Sequence, residues 1–106
     1  MDLGIVGRDA IVCASSRGLG RACAESLARE GVNVVLNGRN RESLEATADA
    51  IRSAHAVRVE VVVGDVELEA TRDELLAACA EPDILVNNNG GPPPGRFQDW
   101  DRDAWI

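Results

Sequence analysis

Asp9-Ala-Ile-Val-Cys-Ala-Ser-Ser-Arg-Gly-Leu-Gly-Arg21 is the stretch that decides the fold. Ala10 to Ala14 is a short apolar run of the kind that forms a buried strand. Ser15 to Gly20 is a turn. From Leu19 the apolar positions 19, 22, 23 and 27 share one helical face, and Glu25 and Arg29 stand four apart as an ion pair on the other side. Gly31 is placed to stop the helix. A strand, a glycine turn and a helix in that order form an anion site. Gly18 and Gly20 allow close backbone approach, the free amides of the helix start face outward, and Arg17 adds positive charge at the same mouth.

The same unit repeats down the chain. Val32-Asn-Val-Val-Leu-Asn37 reads as the second strand. Gly38 to Glu42 is a turn with Asn40 as the cap of a helix whose apolar face is Leu44, Ala48 and Ile51. Val57 to Val63 is the third strand, broken by Gly64-Asp65. Leu68, Leu75, Leu76 and Cys79 mark a third helical face that ends before Pro82. Asp83 to Asn88 is the fourth strand. The order βαβαβαβ with short links predicts a doubly wound, Rossmann-like α/β fold on a parallel sheet, of which the first half is present. Pro92-Pro-Pro-Gly95 must be loop, and Phe97 to Ile106 looks like a helix just starting.

The 106 residues suit one domain at most. Hydrophobic residues make up 45% and aromatics only 3%, with Phe97, Trp100 and Trp105 all near the end, so the core before them must be aliphatic. The net charge is −7, and the basic residues form no stripe, which argues against a nucleic-acid surface. Cys13, Cys23 and Cys79 form no CxxC pair and His55 is the single histidine, so no metal site is expected. The three cysteines read as small buried hydrophobes in a reducing compartment. There is no signal-like leader and no bilayer-length apolar run, so the expectation is a cytoplasmic protein without a membrane partner.

Three motifs in order resemble the short-chain dehydrogenase/reductase family. The family's opening is Thr-Gly, three residues, then Gly-x-Gly. Here it reads Cys13-Ala14-Ser15-Ser16-Arg17-Gly18-Leu19-Gly20, with Cys13 and Ala14 in place of the Thr and the first Gly. An alanine follows such a turn if its dihedrals stay in an ordinary region, but adds a methyl near the pyrophosphate. Gly64-Asp65-Val66 stands where the family places an Asp that meets the adenine. Asn87-Asn88-Asn89-Gly90 resembles the family's Asn-Asn-Ala-Gly, with Asn89 in place of the alanine. Gly91 to Gly95 is similar to a subgroup resembling 3-oxoacyl-(acyl-carrier-protein) reductases. The resemblance implies that residues 1–106 are the N-terminal portion of a single dinucleotide-binding domain. It implies cofactor contacts from Ala14, Ser16, Arg17, Gly18, Leu19, Gly20, Gly38, Arg39, Asp65, Val66, Asn88, Asn89 and Gly90. Asn87 is assigned to holding neighbouring loops. Asp65 retains an alternative role as a helix cap.

Cofactor choice is read at the end of strand two. An enzyme for the unphosphorylated dinucleotide places Asp or Glu there. Leu36-Asn37-Gly38-Arg39-Asn40 carries no carboxylate, and Arg39 is placed to meet a 2′-phosphate together with Arg17. NADP(H) is therefore expected over NAD(H). The bland alternative for Arg39 and Arg41 is solvated surface.

In the family the proton donor is a tyrosine assisted by a lysine, with a serine orienting the substrate. This sequence contains no tyrosine, and its 11 basic residues are all arginine. No catalytic residue is assigned, and the chain alone is expected to be inactive. The expected partner is the missing C-terminal half, carried on the same polypeptide or as a separate chain. The complete enzyme is expected to be a homo-oligomer acting on a small-molecule or acyl-thioester carbonyl. The alternatives are a non-catalytic nucleotide-binding module and a structural or interaction fragment on an α/β scaffold.

Overall fold

The computed structural model describes residues 3–15 and 18–87. Seven elements alternate as the sequence predicts: β1 (Asp9–Val12), α1 (Gly18–Arg29), β2 (Asn33–Gly38), α2 (Arg41–Ala54), β3 (Val59–Val63), α3 (Glu69–Ala78) and β4 (Ile84–Val86). The strands are parallel in the order β3-β2-β1-β4. The chain winds outward from β1 through β2 to β3, then crosses back to place β4 on the other side of β1.

Alternate strand residues supply the two faces. Ala10 and Val12 of β1, Val34 and Leu36 of β2 and Val59 of β3 pack with Ala24 and Ala28 of α1 and with Leu44, Ala48 and Ile51 of α2. Ile11, Cys13, Val35 and Val62 face the opposite way and pack with Leu75 of α3 and with Cys79, which caps that helix's carboxyl end. Helices thus cover both sides of the sheet, as a doubly wound fold requires.

Two helical faces differ from the sequence reading. In α1 the buried line is Gly20, Ala24 and Ala28, while Leu19 is exposed. Cys23 and Leu27 are only half-buried, so Cys23 is not the buried cysteine expected of it. The smallest side chains face the sheet because they let the helix approach it closely. The larger ones straddle that line. In α3, Thr71 and Leu75 are buried, whereas Leu68 and Leu76 are exposed. Leu68 is the residue before the first turn, so it lies off the packed stripe. The α1 ion pair is Arg21 with Glu25 at 2.9 Å. α2 matches its reading, with Asn40 Oδ1 accepting from the Ser43 N–H at 3.0 Å.

The amino ends of the strands are tied by polar contacts. Asp83 accepts from the Asp9 N–H at 3.0 Å, and Asn33 Nδ2 donates to Asp9 Oδ1 at 3.2 Å. Arg58 Nη2 reaches the same carboxylate oxygen at 3.4 Å. His55 follows α2 at this end, away from the carboxyl ends of the strands. Among the described residues, no group of side chains is arranged to hold a metal ion, and no described helix is long and apolar enough to cross a membrane.

Truncating Leu44, which is fully buried between α2 and the sheet, should cost about 2–5 kcal/mol in denaturant unfolding. Leu76→Ala on the exposed side of α3 should stay within about 0.5 kcal/mol.

Candidate functional site

In a parallel sheet with helical crossovers, every strand ends where a helix begins. The reversal of winding falls at β1, between β2 and β4. Open α/β sheets bind their ligands at such a reversal, in the crevice outside the strands' carboxyl ends. The sequence-assigned residues that the structure describes all follow from this geometry. Ala14 and Gly18 to Gly20 lie after β1, Gly38 and Arg39 at the end of β2, and Asp65 and Val66 after β3. Ser16, Arg17, Asn88, Asn89 and Gly90 lie outside the described residues, as does the stretch from Gly91 to Ile106.

The turn after β1 begins two residues earlier than the sequence suggests. Cys13 is already past the strand, although it remains buried and its N–H donates to Val86 O at 3.1 Å. Ala14 then adopts a φ of +50°. The condition of an ordinary dihedral is thus not met. The alanine holds the left-handed conformation that its glycine counterpart would adopt without steric cost, and its Cβ makes that conformation unfavourable by about 1–2 kcal/mol. Gly18 also has a positive φ, +64°, and a Cβ there would meet nothing within 4 Å. Its glycine is therefore required by backbone conformation, with open space left in front of it.

Burial pushes the Cys13 thiol pKa up. Cys79 is raised as well, by burial first and then by the nearby Asp9 carboxylate. Both thiols remain protonated further into alkali than an ordinary cysteine. Their protonated burial therefore contributes stability in full below the ordinary thiol value of 9.0, and that contribution is lost as pH rises through the raised values.

At the end of β2, Gly38 is buried and Arg39 is exposed. Arg39 forms no ion pair among the described residues, whereas Arg41 sits 3.7 Å from Glu45 along α2. The solvated-surface reading thus suits Arg41 and leaves Arg39 free to meet an anion. No carboxylate stands beside Arg39 in the sequence before Glu42.

After β3, Asp65 Oδ1 accepts from the Glu67 N–H at 2.9 Å, and the Leu68 N–H donates to Asp65 O at 2.9 Å. Asp65 therefore closes a turn upstream of α3 and does not cap that helix, whose N-cap is Leu68. Arg72 Nη1 fastens the turn from α3, donating to Val66 O at 2.9 Å and to Glu67 O at 2.8 Å.

Sequence reasoning gave no role to Asn37, yet it is the buried polar centre of this edge. Its Nδ2 donates to Val62 O and Gly64 O, each at 3.1 Å. Its N–H donates to Ser15 Oγ at 3.0 Å, and its carbonyl accepts from the Ser15 N–H at 2.7 Å. The available signal was an asparagine directly after the apolar run Val34-Val-Leu36, where a buried polar side chain requires partners.

The short chain dehydrogenase family model matches residues 8–106. The chain belongs to the short-chain dehydrogenase family. Among short-chain dehydrogenase relatives, it is 40% identical over 107 residues to the uncharacterized oxidoreductase YvaG of Bacillus subtilis, covering all of this chain and 40% of that protein. It is 36% identical to gluconate 5-dehydrogenase of Gluconobacter oxydans, over 93% of this chain and 40% of that one. The crystal structure of L-sorbose reductase from Gluconobacter frateurii, complexed with NADPH and L-sorbose, superposes with a TM-score of 0.84 at 33% identity. That match covers 99% of this chain and 41% of the reductase. The chain thus spans about two-fifths of the length of the relatives it matches.

Ala14→Gly should be neutral or stabilising by up to about 1 kcal/mol, because relief of the left-handed alanine opposes the added freedom of the unfolded chain. Ala48→Gly in the interior of α2 should lose about 1 kcal/mol or more in the same unfolding experiment. In thiol labelling of the folded protein, Cys23 should react before Cys13 and Cys79, which should become reactive only on unfolding.

Proposed function

We propose that this chain is the cofactor-binding part of an NADP(H)-dependent carbonyl reductase or alcohol dehydrogenase. The observation that carries the cofactor choice is the exposed Arg39, without a described ion-pair partner, at the end of a strand that offers no carboxylate. A 2′-phosphate suits a guanidinium there through paired, charge-assisted hydrogen bonds. The negative side chain that would select ribose hydroxyls is missing. The rest of the carboxyl edge fits the same ligand. Gly18 leaves open space before the start of α1, where a helix N-terminus favours a pyrophosphate. The turn at Asp65 and Val66 is held in shape for the adenine. Arg17, Asn88, Asn89 and Gly90 complete the proposed contacts.

The bound nicotinamide supplies or accepts the hydride. In the reductive direction a ketone carbon gains the hydride and its oxygen gains a proton, giving a secondary alcohol. The residues of this chain bind and orient the dinucleotide. With neither tyrosine nor lysine in the sequence, the proton source and substrate pocket belong to the further part of the enzyme, and the 106 residues alone do not turn over substrate. The resemblance around Gly91 to Gly95 supports a 3-oxoacyl thioester as substrate. The names of the gluconate and L-sorbose relatives favour a polyhydroxy ketone as the competing class.

In the native polypeptide carrying these residues, NADPH should bind at least about tenfold more tightly than NADH, the scale of one charge-assisted contact. Arg39→Asp should abolish that preference by weakening NADPH and leaving NADH nearly unchanged. Equal losses for both dinucleotides would overturn the role of Arg39. Saturable binding of neither dinucleotide by the unaltered protein would overturn the cofactor reading itself. Reduction rates with a 3-oxoacyl thioester and with a keto-sugar decide the substrate class.

A further inference from the structure

Three loops at the carboxyl edge come from distant parts of the sequence, yet they converge on one buried residue. Asn37 and Ser15 are almost completely buried. Ser15 stands in the turn after β1. It holds the Asn37 backbone from one side through its N–H to Asn37 O at 2.7 Å and its Oγ to Asn37 N at 3.0 Å. On the other side, the Asn37 side-chain amide grips the end of β3 at Val62 O and Gly64 O. The Gly64 N–H returns a bond to Gly38 O at 2.9 Å.

Gly64 therefore has its N–H and its carbonyl both fixed by β2. It also has no room for a side chain on the side of α3. Its φ is +155°, and a Cβ would stand 2.5 Å from Thr71 Oγ1. The next residue is Asp65, and one residue beyond Asn37 and Gly38 is Arg39. One carboxamide and one hydroxyl thus join the backbone bonds of β2 in setting the relative placement of the phosphate turn, Arg39 and the Asp65 turn.

We propose that Asn37 is a positioning residue that couples the phosphate turn to the adenine-side turn and so sets the affinity for the whole dinucleotide. This rests on the dinucleotide reading above, but the coupling is measurable without any ligand. Only an amide donor serves at this position. Two carbonyl oxygens face its Nδ2, so an isosteric carboxylate would present a negative oxygen to both of them.

The test is Asn37→Asp in the native polypeptide, followed by residue-resolved amide exchange and dinucleotide titration. Protection should fall together at the Ser15 and Gly64 amides, on both sides of β2. The folded variant should bind NADPH and NADH more weakly by a similar factor, about tenfold or more, in contrast to the selective loss expected at Arg39. NADH affinity should partly recover from about pH 8 to about pH 6, as the buried carboxyl takes up a proton and regains one donor. A role confined to stability would lower the unfolding midpoint and leave the affinity of the folded fraction and its pH profile unchanged.

The proposal is overturned if exchange rises only on the β3 side, or if the folded variant binds both dinucleotides as the unaltered protein does. If the unaltered protein binds neither dinucleotide, the cofactor reading fails. The proposed effect on affinity fails with it, while the exchange pattern alone still decides the mechanical coupling.

Discussion

β1 has a parallel neighbour on both sides, and the rest of the structure depends on that double pairing. Ala10, Ile11 and Val12 each sit in register with a residue of β2 and a residue of β4. Their side chains alternate between two covered faces, and none is exposed. A strand so placed has to be apolar throughout, which is why the unbroken apolar run that opens the motif region becomes the centre of the sheet. Because the connections to its neighbours depart in opposite directions, a sheet of this order offers a crevice at its carboxyl end. The crevice is therefore a product of strand order and precedes any choice of ligand.

The two ends of the sheet have consequently different chemistry. The helix N-termini gather at the carboxyl edge, where their unpaired amides and partial positive charge suit an anion. The opposite edge is closed by side chains from within the chain, with Asp9, Asn33, Arg58 and Asp83 satisfying one another. These contacts are largely solvent-exposed and contribute little individually. Their collective effect is to tie the amino ends of the strands together at the edge that carries no assigned site.

The order of elements and the edge of the sheet on which the described candidate residues fall were legible because both follow from local signals. Short aliphatic runs gave the strands, Asn40 marked a helix start, and the absence of a carboxylate near Arg39 needed only the string of residues. The faces of α1 and α3 were less legible. Leu19 and Leu76 are more hydrophobic than the alanines and threonine that pack in their stead, and hydrophobicity alone does not register the advantage of a small side chain at close approach. The φ of Ala14 depends on how the turn closes against its neighbours. Asn37 was opaque for a different reason, since its partners lie 25 and 27 residues away in sequence and meet it only once β2 and β3 have paired.

Arg39 stands between two residues with demanding structural roles and has none of its own. Gly38 pairs with β3, and Asn40 fixes the first turn of α2 through its side chain. The main chain at position 39 is thereby held from both sides while its side chain projects into solvent. Such a site has wide evolutionary latitude. Its charge can be removed by a single base change with little penalty in folding, so this one position can drift faster in a lineage than the scaffold that displays it.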